Sequence, residues 1–346
     1  MVRIHRGWLV AAVALSFSAA ACKKSEKKSE TPTPTDKTAE KGATTTDPGA
    51  GKAVPTPGAT ANGANDDLAL LPVDSEIVMG LNFTQLTQSS LWKKFVEPKL
   101  MDGDVQKKFA EFKDKCGFDP LGSVKSISVG LLGLGNKKPD GAVVIHGPDK
   151  GKVLACLDKM KDEAQKDGDK IENDGGIITV TTKSGENFAM TFVNDTTMLG
   201  VIGATANAAG VKAAAAGGST LRTSPAFVDM YSKINTSDSL WMLMNGNSHA
   251  FDKAAAMGFK PKAVFGSVNV TDGLTLDLRM RLDSPDQAAQ IAGMAKGQAA
   301  QAKAMFDKLD IGNEGADVKV SLGLSSAKLD ALIQQFAGLV GNMGGM

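Results

Sequence analysis

The apolar pattern of this chain occurs twice, and that constrains its fold more than any other feature. "DSEIVMGLN" at 74 to 82 is echoed by "DSLWMLMN" at 238 to 245, "CGFDP" at 116 to 120 by "MGFKP" at 257 to 261, and "GPDKGKVL" at 147 to 154 by "SPDQAAQI" at 284 to 291. The three matches keep one order, and the interval from Pro120 to Pro148 is 28 residues where that from Pro261 to Pro285 is 24. Similarity repeated over such a period marks a duplicated structural unit.

Periodicity inside each copy gives the unit its elements. In the first, Ile77, Met79, Leu81 and Phe83 alternate as a strand, 91 to 115 reads as helix, and 124 to 132 and 141 to 146 read as paired strands. A second helix opens at Pro148-Asp149 with Val153, Leu157, Met160 and Ala164 on one face. In the second copy, 240 to 244 is a strand, 248 to 257 a helix, and 264 to 270 a strand that turns through Asp272-Gly273. Its partner alternates Leu274, Leu276, Leu278, Met280 and Leu282 inward with Thr275, Asp277, Arg279 and Arg281 outward. Ser284 as N-cap and Pro285 at the first helical position then start a helix carrying Ala288, Ile291, Ala295, Ala302, Met305 and Leu309 at helical spacing, and Val318, Val320 and Leu322 form a last strand.

This order predicts an α+β fold of two tandem ferredoxin-like βαββαβ repeats with mainly antiparallel sheets, residues 68–218 and 219–346. The first repeat adds a meander over 177 to 182, 188 to 193 and 198 to 202, followed by an alanine-rich helix over 204 to 216. The second ends in a helix whose stripe of Leu329, Leu332, Ile333, Phe336 and Leu339 or Val340 either docks on the second sheet or meets a partner.

What precedes the repeats does not read as a folded domain. Arg3, His5 and Arg6 lead into an apolar run from 8 to 21, and no acidic residue occurs before Glu26. That is the layout of a secretory leader over residues 1–21, shorter than a comfortable membrane span. It ends on Ala19-Ala20-Ala21-Cys22, which resembles a lipobox, so Cys22 is read as a lipidation site. Ala19 stands where leucine is commoner, and Ala19-x-Ala21 also suits an ordinary leader peptidase. Residues 22–67 hold almost no large apolar side chain and read as a disordered tether. As a flexible coil of roughly 45 residues, the tether would have an end-to-end distance of about 35 to 40 Å.

Charge excludes one class of partner. Without Arg3 and Arg6 the chain carries 37 basic residues against 38 acidic ones, which gives no electrostatic reason to expect nucleic acid. An export signal implies an oxidising compartment, where leftover cysteines pair. In a βαββαβ unit the first helix ends at the edge where the second begins, so Cys116 and Cys156 are expected to form a disulfide, the alternative being two separate buried thiols.

Catalytic patterns are weak. His146 and His249 lack the companion spacing of a zinc site, and no metal or cofactor is expected. Ser90-x-x-Lys93 and Ser325-x-x-Lys328 match S-x-x-K without the companion K-T-G. "GLGNKKPDG" at 133 to 141 joins two strands and so reads as a hairpin loop, and Asp102 and Asp104 lack further calcium ligands. The chain is therefore not read as an enzyme. Of its 15 methionines, Met79, Met190, Met198, Met242, Met244 and Met280 fall on expected strands. They are read either as core or as the lining of an apolar ligand site.

"LALLPVDSEIVMGLNFTQL", "CGFDP" after a helix, and the helix bearing Cys156 resemble a group of envelope lipoproteins of myxobacteria and related deltaproteobacteria. The resemblance covers most of 68 to 340 and implies an address, a lipid-anchored place at the outer membrane facing the periplasm or the surface, with no activity attached. Lys23 also lacks the aspartate that retains many lipoproteins at the inner membrane. The expectation is a non-catalytic binding or interaction domain whose partner is an envelope protein, or alternatively a carrier of lipid or another hydrophobic ligand.

Overall fold

Twelve extended segments pair into one antiparallel sheet in the computed structural model, which describes residues 67–100, 103–135, 139–252 and 260–332. They are β1 (Ile77–Asn82), β2 (Ser126–Leu132), β3 (Asp140–His146), β4 (Lys170–Asp174), β5 (Ile177–Thr181), β6 (Asn187–Asn194), β7 (Thr197–Ile202), β8 (Leu240–Asn245), β9 (Ala263–Val270), β10 (Leu274–Arg281), β11 (Lys308–Glu314) and β12 (Asp317–Leu324). Their spatial order is β11-β12-β10-β9-β8-β1-β2-β3-β7-β6-β5-β4.

The principal helices are α1 (Phe83–Gln88), α2 (Gly103–Cys116), α3 (Lys150–Asp167), α4 (Ala208–Ala215), α5 (Pro225–Tyr231) and α6 (Pro285–Ala299). Their starts are written locally. Asp149 accepts from the Lys152 N–H at the start of α3, Asn207 from Gly210 at α4, Ser224 from Phe227 at α5 and Ser284 from Gln287 at α6. Helix α3 stops where Gly168 turns left-handed at φ 91°.

The duplication is visible as a two-fold relation in the middle of the sheet. When Asn82 and Asn245, which close the two motifs, are aligned, Met79 and Met242 are equivalent, and these two residues pair across β1 and β8. Ile77 then faces Met244 and Leu81 faces Leu240, so each half presents the same positions to the other in reverse. Outward from this axis, β2, β3, β7 and β6 on one side correspond to β9, β10, β12 and β11 on the other, with the β4–β5 hairpin added to the first half. The serine of each motif is fully buried: Ser75 donates to Pro72 O at 2.7 Å, and Ser239 accepts from Val270 N at 2.9 Å.

The ferredoxin-like pairing expected from the element order is not the pairing observed. A split βαβ unit separates its first two strands by a third, whereas β1 pairs directly with β2 from Ile77↔Leu131 to Asn82↔Ser126. The reason is the path of the connection. Thr84 N–H donates to Lys125 O at 3.0 Å, so the chain leaves and re-enters the sheet at one edge, and the next strand must run antiparallel to β1 as its neighbour. Gly246 N–H donates to Lys262 O at 2.8 Å in the matching place of the second half.

Four smaller expectations change. The helix expected over 91 to 115 is a π-helical turn, Trp92–Val96, a short helix, Glu97–Leu100, and α2. Helix α6 ends at Ala299, so Leu309 lies on β11, a strand that the helical reading passed over. The meander of the first half also gains β4 in front of it. Asp67, expected in the tether, is only 2 % exposed and belongs to the fold.

Candidate functional site

In antiparallel pairs, directly opposed residues share a face, and the register therefore sorts the methionines. Met79 opposes Met242 on one side and Val129 on the other, and the row continues through Val143 and Gly200 to Met190. Met244 opposes Val264, which opposes Met280, while Met198, Ile145, Ile127 and Leu81 make a further row. All six methionines lie on one face of the sheet.

That face is covered unequally. Met190 and Met198 are buried with Ile145, Ile178 and Ala164 against α3, with Leu154 and Leu157 packed on the same cluster. Met280 packs against Leu282, Ala288, Ala292 and Val318 beside α6. Between these ends, Ile77, Met79, Leu81, Leu240, Met242 and Met244 are all half-buried. The other face of the same two strands is closed: Val78 and Leu243 are fully buried and Trp241 nearly so, in a cluster with Leu71, Leu221, Phe227, Met230, Tyr231 and Phe265. Two surface depressions lie elsewhere. One of about 300 Å³ is lined by Asp162, Gln165 and Lys166, and one of about 20 Å³ lies between α3 and β4–β5.

The polar groups sort into local ties. His146 Nε2 donates to Asp67 Oδ1 at 2.7 Å and its Nδ1 lies 3.0 Å from Thr197 Oγ1, which fastens Asp67 to the ends of β3 and β7. Sequence reasoning placed Asp67 in the tether and missed this pair; only the tertiary contact reveals it. His249 is exposed and meets Asp252 at 3.0 Å. The two S-x-x-K motifs are engaged otherwise: Ser90 Oγ donates to Thr271 O at 3.3 Å, and Lys328 Nζ to Phe306 O at 2.7 Å. β2 and β3 pair antiparallel from Ser126↔His146 to Leu132↔Asp140, as the hairpin reading of 133 to 141 expects.

A second polar cluster ties α5 to the outer strands. Arg281 donates from Nε to Asp317 Oδ1 at 2.7 Å, from a terminal nitrogen to Asp317 Oδ2 at 2.9 Å, and from the other to Asp229 Oδ2 at 2.8 Å. Lys233 lies 3.3 Å from Asp317 and 3.5 Å from Asp229. Burial raises the pKa of Asp317, but the Arg281 hydrogen bonds and charge, together with Lys233, more than reverse this and hold it below the usual carboxylate range. The Arg281 hydrogen bond lowers Asp229 likewise, while its bonds to Asp317 raise Arg281.

Cys116, the last residue of α2, and Cys156, in the second turn of α3, are joined as a disulfide with Cα atoms 4.6 Å apart. The loop closed by this bond spans a sequence separation of 40, for which chain entropy gives a stabilisation of about 4 kcal/mol. Cys22 lies outside the described residues. Comparison of the chain with protein-family models, with curated proteins and with solved structures yields no match.

Proposed function

We propose that this protein is an envelope lipoprotein, anchored through Cys22 and a flexible tether, whose duplicated α+β domain is a non-catalytic interaction module. One observation carries the reading. On β1 and β8 one face is sealed in a core, while the other offers six half-buried apolar side chains around the internal two-fold axis. A soluble domain gains nothing by leaving such a row short of full burial, and apolar surface of this kind marks contact sites. The partner is an envelope protein presenting its own apolar surface. The methionines favour a second reading, a carrier of lipid or another hydrophobic ligand, because their unbranched thioether chains adapt to varied apolar shapes.

Two linked measurements test this. The Cys22→Ser chain should lose incorporation of an alkynyl fatty acid and move from the membrane to the soluble fraction; a variant that still sediments with membranes refutes the anchor. A photoreactive side chain at Met242 should crosslink a protein in intact cells, with a control at Met294, which is 55 % exposed, failing to do so. A lipid adduct at Met242 instead would favour the carrier, and equal labelling at both positions would remove the face from consideration.

A further inference from the structure

The disulfide has a third sulfur beside it. Met160 Sδ lies 3.4 Å from Cys156 Sγ and 3.8 Å from Cys116 Sγ. The placement follows from the helices: Cys156 and Met160 are four residues apart and share one face of α3, and α2 delivers Cys116 to that face at its last residue. Cys116 and Cys156 are both buried. Along the sequence Met160 reads as one more residue of the apolar stripe of α3, and in the structure it is half-buried beside the two cysteines.

We propose that, in the reduced protein, Cys116, Cys156 and Met160 form a three-coordinate site for a monovalent soft cation, Cu(I). Thiolate and thioether ligands select Cu(I), whereas structural zinc takes four nitrogen, oxygen or thiolate ligands and has no use for a thioether. The chemistry balances with a dithiol as reductant. The dithiol gives two electrons and two protons to the Cys116–Cys156 bond, becoming a disulfide itself and leaving two thiols. Cu(I) then displaces both protons to water, forms two thiolate bonds, and accepts a lone pair from Met160 Sδ. The resulting centre carries one negative charge. The Lys159 ammonium, which donates to Lys115 O at 3.1 Å, stands one residue from Cys116 on that side and offsets it.

The full chain in a Cys22→Ser background, which removes the third thiol, is reduced with dithiothreitol under argon, desalted and titrated with Cu(I) against bicinchoninate. One Cu(I) per chain is expected, with Met160→Leu weakening the affinity at least ten-fold and Cys156→Ser at least a hundred-fold. Cu(I) should also raise the thermal midpoint of the reduced protein and raise that of reduced Met160→Leu less. The inference is overturned if the reduced protein takes up no Cu(I), if Met160→Leu binds as tightly as the parent, or if the reduced chain shows no Cu(I)-dependent thermal transition. The oxidised chain serves as the reference that binds none; equal binding in that form also overturns it.

Discussion

Gly80 and Trp241 oppose each other across the central strand pair, and the second half reverses the arrangement: Leu243 and Val78 fill the equivalent positions. A large side chain on one strand is matched by the absence of one on the other. A methyl group built on Gly80 would overlap the Trp241 indole, which is itself held edge-on by Tyr231 at a centroid distance of 5.2 Å. The indole cannot retreat without disturbing the core around Phe227 and Leu243. Gly80→Ala should therefore destabilise the fold by about 1 to 3 kcal/mol and shift the tryptophan emission, as read by urea unfolding followed through fluorescence. An unchanged midpoint would mean that the indole moves freely.

Elements are joined here by charge as well as by packing, and Arg281 is the clearest case. Read along β10, Arg279 and Arg281 alternate outward as solvent-facing residues, but Arg281 bridges β12 and α5 and its partner Asp317 is only 2 % exposed. Arg281→Met would leave that carboxylate with Lys233 alone, and breaking such a buried pair costs about 3 to 5 kcal/mol at neutral pH. The pH dependence follows from the lowered carboxylate values. Asp229 and Asp317 sit below the ordinary 3.8 in the folded chain, so their contribution is complete above that value and is lost as the pH falls through the lowered ones. Denaturant midpoints of the parent and of Arg281→Met should differ by a constant amount from pH 7 to about pH 5 and converge below about pH 4. A gap that persists at low pH would assign the effect to packing. The elements that the sequence concealed are edge strands of the same kind: β4 reads "KIEND" and β11 "KLDIGNE", where charges guard an open edge and mask the apolar alternation.

For the molecule as a whole, the internal repeat is not a domain boundary. One sheet crosses it, and one core cluster draws Val78, Ala142, Val144 and Leu199 from the first half and Trp241, Leu243, Ala263 and Phe265 from the second. Neither half retains its inner face without the other. Thermal unfolding should then be a single transition, with tryptophan fluorescence and far-ultraviolet circular dichroism giving the same midpoint. Two separated midpoints would show that the halves unfold independently and that the shared strand pair is weaker than its core implies.

The sequence by itself determined the recurrence of the strand motif, the helix starts at Asp149 and Ser284 and the β9–β10 hairpin, because caps, turns and periodicity are set by neighbours along the chain. Tertiary structure alone decided that β1 pairs with both β2 and β8, that Asp67 meets His146, and that Met160 stands over the disulfide. Those choices depend on which end of the sheet a helical connection returns to and on contacts between residues far apart in sequence, and local spacing carries no record of either.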